Sequence, residues 1–79
     1  MSETNSVMIL VRDKTVYIQL GEILRNGNLS ISDAHGKILM QVTILKSNFK
    51  VVDLNQPKGK YWVSIDSENM KVKKSFLLK

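Results

Sequence analysis

Gly59-Lys60-Tyr61-Trp62-Val63-Ser64-Ile65-Asp66 decides the fold. It follows Pro57-Lys58, a proline-led break, and it alternates strictly. Tyr61, Val63 and Ile65 fall on one face, and Lys60, Ser64 and Asp66 on the other. A period of two is the signature of a half-buried β-strand, because successive side chains point to opposite faces. The stretch is therefore read as one strand of a final hairpin. Ser67-Glu68-Asn69 forms the turn, and Met70 to Leu78 forms the return strand.

Working outward, turn residues recur about every ten positions and separate about seven short extended segments. Val7 to Val11 is the first. Arg12-Asp13-Lys14 turns the chain into Thr15 to Leu20, which Gly21 is expected to end. Glu22 to Arg25 reads as a short bend between sheets and is the one candidate for a helical turn. Asn26-Gly27-Asn28 is a turn signal, since Asn and Gly tolerate positive φ. Leu29 and Ile31 face inward on the next strand. Asp33-Ala34-His35-Gly36 is a hairpin loop with Gly36 in the left-handed position. Lys37 to Leu45 places Ile38, Met40, Val42 and Ile44 on one face. Lys46-Ser47-Asn48 turns into Phe49 to Leu54, and Asn55 to Gly59 breaks that strand. Short strands at this spacing, without a sustained 3.6 period, give an all-β fold, an antiparallel sandwich. Residues 1–6 are expected to be a disordered N-terminal segment, and residues 7–79 one β-sandwich domain.

Seventy-nine residues with 43% hydrophobic content can fill a single core. A chain of this size buries only about 60% of its unfolded surface, so modest stability follows. There is no cysteine, which excludes disulfides and thiolate metal sites. No run approaches the ~20 apolar residues of a membrane-spanning helix. Met1 to Ser6 lacks the basic-then-apolar layout of a signal peptide. The chain reads either as cytoplasmic or as a piece of an exported protein whose signal peptide or upstream cargo lies outside these residues.

The net charge is +5, and it is unevenly spread. Residues 1–57 carry six Lys/Arg against five Asp/Glu; residues 58–79 carry six Lys against Asp66 and Glu68. The positive charge belongs to the last hairpin. No residue pattern supports catalysis or a cofactor. His35 is the one histidine and sits in a hairpin loop. Asp13, Asp33, Asp53 and Asp66 fall at turns or strand ends, where Asp satisfies local backbone donors. Asp66 and Glu68 fall short of the six or more oxygens that calcium takes. The four glycines are isolated and form no phosphate loop. A basic single-strand binder would stack bases on Trp62 beside Lys60 and Lys73, but aromatic content is 6% and Tyr61 is assigned to the core. Trp62 points outward, to cover the sheet against Lys60 or Met70 or to meet a partner.

From Asn28 onward the order of elements resembles the C-terminal sorting domains of the type IX secretion system of Bacteroidetes. The carriers are Leu29-Ser30-Ile31-Ser32-Asp33-Ala34-His35-Gly36-Lys37, Asp53-Leu54-Asn55, Gly59-Lys60-Tyr61-Trp62-Val63 and Lys71-Val72-Lys73-Lys74-Ser75-Phe76-Leu77-Leu78-Lys79. The chain departs from that family in three ways: the Asn-Pro entry motif is absent, the turn before Gly59 is one residue short with Gln56 where leucine is common, and these 79 residues are not expected to include a cargo domain. It is also similar to small stand-alone immunoglobulin-like exported domains of Bacteroidales, which include an equivalent of the Val7 to Leu20 hairpin. The resemblance implies an immunoglobulin-like sandwich, an exported, non-enzymatic protein and a protein partner, either secretion machinery or a cell-surface protein. It implies recognition through Lys71, Lys73, Lys74 and Lys79, with Gly59 and Tyr61 holding the hairpin in shape, Tyr61 as a tyrosine corner.

Overall fold

A computed structural model describes residues 7–68 and 71–79, apart from the side chain of Glu22. The expected disordered segment 1–6, Asn69 of the expected turn and Met70, the expected start of the return strand, lie outside the described residues. Seven strands form: β1 (Met8–Arg12), β2 (Thr15–Leu24), β3 (Gly27–Ser32), β4 (Ile38–Ile44), β5 (Ser47–Asp53), β6 (Gly59–Ser67) and β7 (Lys71–Leu78). They make two antiparallel sheets, a three-stranded one in the order β1-β2-β5 and a four-stranded one in the order β4-β3-β6-β7. The all-β sandwich expected from the alternation is the fold that forms.

The core lies between the layers. The three-stranded sheet contributes Val16, Ile18, Leu20 and Val52; the four-stranded sheet contributes Leu29, Ile31, Ile44, Val63 and Ile65, all under a tenth exposed. Burying each such side chain stabilises by about 1.5–3 kcal/mol before conformational entropy is subtracted. Across the four-stranded sheet the inward rows are continuous. One runs Val42–Leu29–Ile65–Val72, and the next runs Met40–Ile31–Val63–Lys74. The second row matters for function, because it ends on a lysine.

Four local expectations are corrected. Gly21 does not end β2. It takes a left-handed φ of 86° inside the strand, and β2 uses more residues than β5 between the Gln19–Phe49 and Leu24–Ser47 pairs. Gly21 therefore supports a bulge, and residues 22–24 continue the strand instead of forming a bend. Gly27 is not a positive-φ turn residue but the first residue of β3. An added Cβ there would stand 2.9 Å from the Ser67 Cβ and 3.1 Å from the Asp66 carbonyl oxygen, so glycine is required by space. Ile38 leaves the inward face and is exposed. A register shift between Ile31 and Ser32 inserts Leu39 into the core side of β4. The turn before β5 is shorter than expected: Lys46 alone is left-handed, at φ 49°, and Ser47 already pairs.

The Asp33–Gly36 loop forms as expected, with Gly36 at φ 89°. The Asp33 Oδ1 accepts hydrogen bonds from the backbone N–H groups of Lys37 and His35, each at 2.9 Å. These donors, that of Lys37 first, hold the Asp33 carboxyl below the usual aspartate range.

Candidate recognition surface on the last hairpin

β6 and β7 pair from Gly59–Leu78 to Asp66–Lys71, and the pairing sorts the hairpin into two faces. Tyr61, Val63 and Ile65 point inward from β6, with Phe76 and Leu78 from β7. Tyr61 is the anchor. Its ring stacks on Phe76 with centroids 6.0 Å apart and planes 28° from parallel. Its hydroxyl donates a 2.6 Å hydrogen bond to the Pro57 carbonyl, four residues upstream. This is the tyrosine-corner geometry, in which one side chain ties the loop before a strand to the core beneath it. Gly59 opens the strand at that corner. A Cβ there would meet only the Tyr61 ring edge, at 3.9 Å.

The outward face carries Lys60, Trp62, Ser64 and Asp66 on β6 and Lys71, Lys73 and Ser75 on β7. Trp62 is half-buried because two lysines lie against it. The Lys60 Nζ is 5.1 Å and the Lys73 Nζ 5.3 Å from the ring centroid. Both distances are within cation–π range, and such contacts at exposed sites stabilise by about 0.5–1 kcal/mol. The indole thus holds two ammonium groups in place, and neither forms an ion pair with a described residue. Lys71 approaches Asp66 at 3.7 Å with both side chains largely in water. That pair contributes little and leaves the charge accessible.

Lys74, expected in the recognition set with Lys71, Lys73 and Lys79, does not share the face of Lys71 and Lys73. It stands on the inward side, at the edge of the row Met40–Ile31–Val63. Its aliphatic stem covers the core and its Nζ donates a 2.7 Å hydrogen bond to the Val7 carbonyl in the other layer. Lys74 therefore latches β1 to β7. Lys71 and Lys73 share the outward face, and Lys79 follows β7, exposed.

Other candidates do not assemble. His35 is exposed in its loop. Among the described residues no three His, Asp or Glu side chains come together, and no helix is long and apolar enough to cross a membrane. Trp62 is the one aromatic on the outward face of the four-stranded sheet, and its ring is flanked by Lys60 and Lys73.

No curated protein matches the chain. Among solved structures, an immunoglobulin-like β-sandwich of the DUF3244 family from Bacteroides vulgatus is similar. It is 15% identical, with a TM-score of 0.76, over 92% of this chain and 84% of that one. At that identity the likeness establishes the fold, an immunoglobulin-like sandwich. The family described as the secretion system C-terminal sorting domain matches residues 12–79, from the end of β1 through the whole of the last hairpin. With that match over most of its length, the chain belongs to the secretion system C-terminal sorting domain family.

Proposed function

We propose that this chain is the sorting module of an exported protein, and that the type IX secretion machinery reads the outward face of the β6–β7 hairpin. The observation that carries the reading is the family match over residues 12–79. The physical argument concerns where charge stands. A sorting signal must be rigid, accessible and electrostatically distinct, so that an acidic receptor surface can find it. The Tyr61 corner supplies rigidity. Lys71, Lys73 and Lys79 supply exposed charge, and Lys60 joins them through Trp62. Lys74 belongs to the same proposed element, but its role is to hold the hairpin against β1. The module spans residues 7–79 and acts by binding protein, with no chemical step. A reporter carrying a signal peptide and ending in this chain should reach the surface of a type IX host. Retention in the periplasm would contradict the reading.

A second reading has its own support. The likeness to the Bacteroides sandwich covers more of the chain than residues 12–79 do. A stand-alone secreted binding domain would then be the better description, with partners pairing on its exposed edge strands. The coding sequence upstream discriminates. A cargo domain joined to residue 1 favours sorting, and a signal peptide directly before Val7 favours the stand-alone domain.

A further inference from the structure

Among the described residues, two of the three outward rows of the three-stranded sheet are mainly apolar and exposed. Register places its side chains in three rows across β1, β2 and β5: Met8–Gln19–Phe49, Leu10–Tyr17–Val51 and Arg12–Thr15–Asp53. Met8, Leu10, Phe49 and Val51 are 64%, 65%, 47% and 48% exposed. Scattered apolar side chains on a surface need no explanation, but a contiguous group covering two rows of one sheet marks a contact surface. The third row carries opposite charges at its two ends. Asp53 accepts a 3.1 Å hydrogen bond from the Thr15 hydroxyl, and Arg12, two strand spacings away, forms no ion pair with a described residue.

We propose that a second copy of the chain covers this face in a two-fold dimer whose axis runs along β2. Rotation about that axis lays β1 of one copy over β5 of the other and keeps each row on its own counterpart. Arg12 then meets the second copy's Asp53, twice. Met8 meets Phe49, a favourable sulfur–aromatic pairing, and Leu10 meets Val51. Tyr17 and Gln19 lie near the axis and meet themselves. The other in-plane two-fold, perpendicular to the strands, sets the charged row against the Met8 row and buries Arg12 and Asp53 on apolar side chains, at a desolvation cost. The face is therefore self-complementary in one orientation only, and face-to-face sheets pack at the roughly 30° offset that sheet twist imposes. The interface is small, so association is weak and depends on concentration. It leaves the outward face of the β6–β7 hairpin free and does not rest on the sorting reading.

Sedimentation velocity from about 10 µM to about 1 mM tests the proposal. The chain should shift from monomer toward dimer, and Leu10→Glu should hold it monomeric with an unchanged circular dichroism spectrum. Arg12→Asp and Asp53→Arg should each weaken the dimer by about tenfold or more, since each sets like charges together twice. The double exchange Arg12→Asp/Asp53→Arg should restore association to within about threefold of the original, because the pairs reform with reversed sign. A monomer at every concentration overturns the proposal. So does a dimer indifferent to Leu10→Glu, which would be strand-edge pairing, or a double exchange that fails to restore association. Co-sedimentation of a monomeric chain with phospholipid vesicles, lost in Leu10→Glu, would also overturn it and assign the face to a lipid surface.

Discussion

Replacing Tyr61 separates the two contributions of the corner. Tyr61→Phe keeps the ring on Phe76 and removes only the hydroxyl that reaches the Pro57 carbonyl at 2.6 Å. The Pro57 carbonyl lies at an exposed residue and can be rehydrated, so the loss should be that of one ordinary hydrogen bond, about 1 kcal/mol. Tyr61→Ala also removes the ring of a residue that is 6% exposed and leaves a void against Phe76. Large-to-small changes of that kind cost about 3–5 kcal/mol. A 79-residue chain has roughly 4–12 kcal/mol in total. The alanine variant should therefore be close to unfolding at 25 °C, while the phenylalanine variant loses roughly 4–8 °C in melting temperature. Urea unfolding followed by Trp62 emission suits the measurement, since the one tryptophan sits next in sequence and its own partners, Lys60 and Lys73, are untouched. Equal losses for the two variants would show that the ring contributes nothing. A loss below about 1 kcal/mol for alanine would show that the faces of β6 are reversed.

Gly27→Ala should cost about 1–3 kcal/mol in thermal unfolding, because its new methyl meets Ser67 and the Asp66 carbonyl. Gly36→Ala meets no atom within 4 Å and should cost only the strain of a left-handed alanine, about 1 kcal/mol. Lys74→Met keeps the stem and removes the bond to Val7, so about 1–2 kcal/mol should be lost in urea unfolding, whereas Lys71→Ala should change stability by less than about 0.5 kcal/mol. The Asp33 carboxyl titrates below its unfolded value. Its contribution is therefore fully present above the ordinary aspartate range and is lost as pH falls through the lowered value. Protection of the His35 and Lys37 amides, measured against their intrinsic exchange rates, should fall over that acidic window, and Asp33→Asn should flatten the dependence.

In the four-stranded sheet, the two strands flanked on both sides were the most legible in the sequence. β3 and β6 alternate without interruption because each is paired along both edges, and their inward residues Leu29, Ile31, Tyr61, Val63 and Ile65 follow from parity alone. Bulges were not legible. A glycine that ends a strand and one that bends it both need a left-handed residue, so Gly21 carried no mark of which it was. The extra residue at Leu39 was hidden because Ile38, Leu39 and Met40 are all apolar, and either register buries two of them. Gly27 was misread for a related reason: its missing side chain answers to Ser67, forty residues away, and not to its own turn.

At the candidate surface, the outward placement of Trp62 beside Lys60 followed from alternation, as did Lys73 on the same face. Lys74 was missed although its signal was present. It shares parity with Val72, Phe76 and Leu78, so β7 must aim it at the core side. A long lysine stem can cover apolar surface while its ammonium reaches a carbonyl at the edge, so naming Lys74 with the recognition lysines ignored its parity. The charge count alone located the hairpin and said nothing of which ammonium groups are available.

The most direct test compares surface display of a signal-peptide reporter ending in this chain with that of two folded variants in a type IX host. Reversing Lys71, Lys73 and Lys79 to glutamate should strand the reporter in the periplasm. Lys74→Met, which leaves the outward charge intact, should still be displayed. Display of the charge-reversed variant at the unmodified level would contradict recognition through the outward face of the last hairpin.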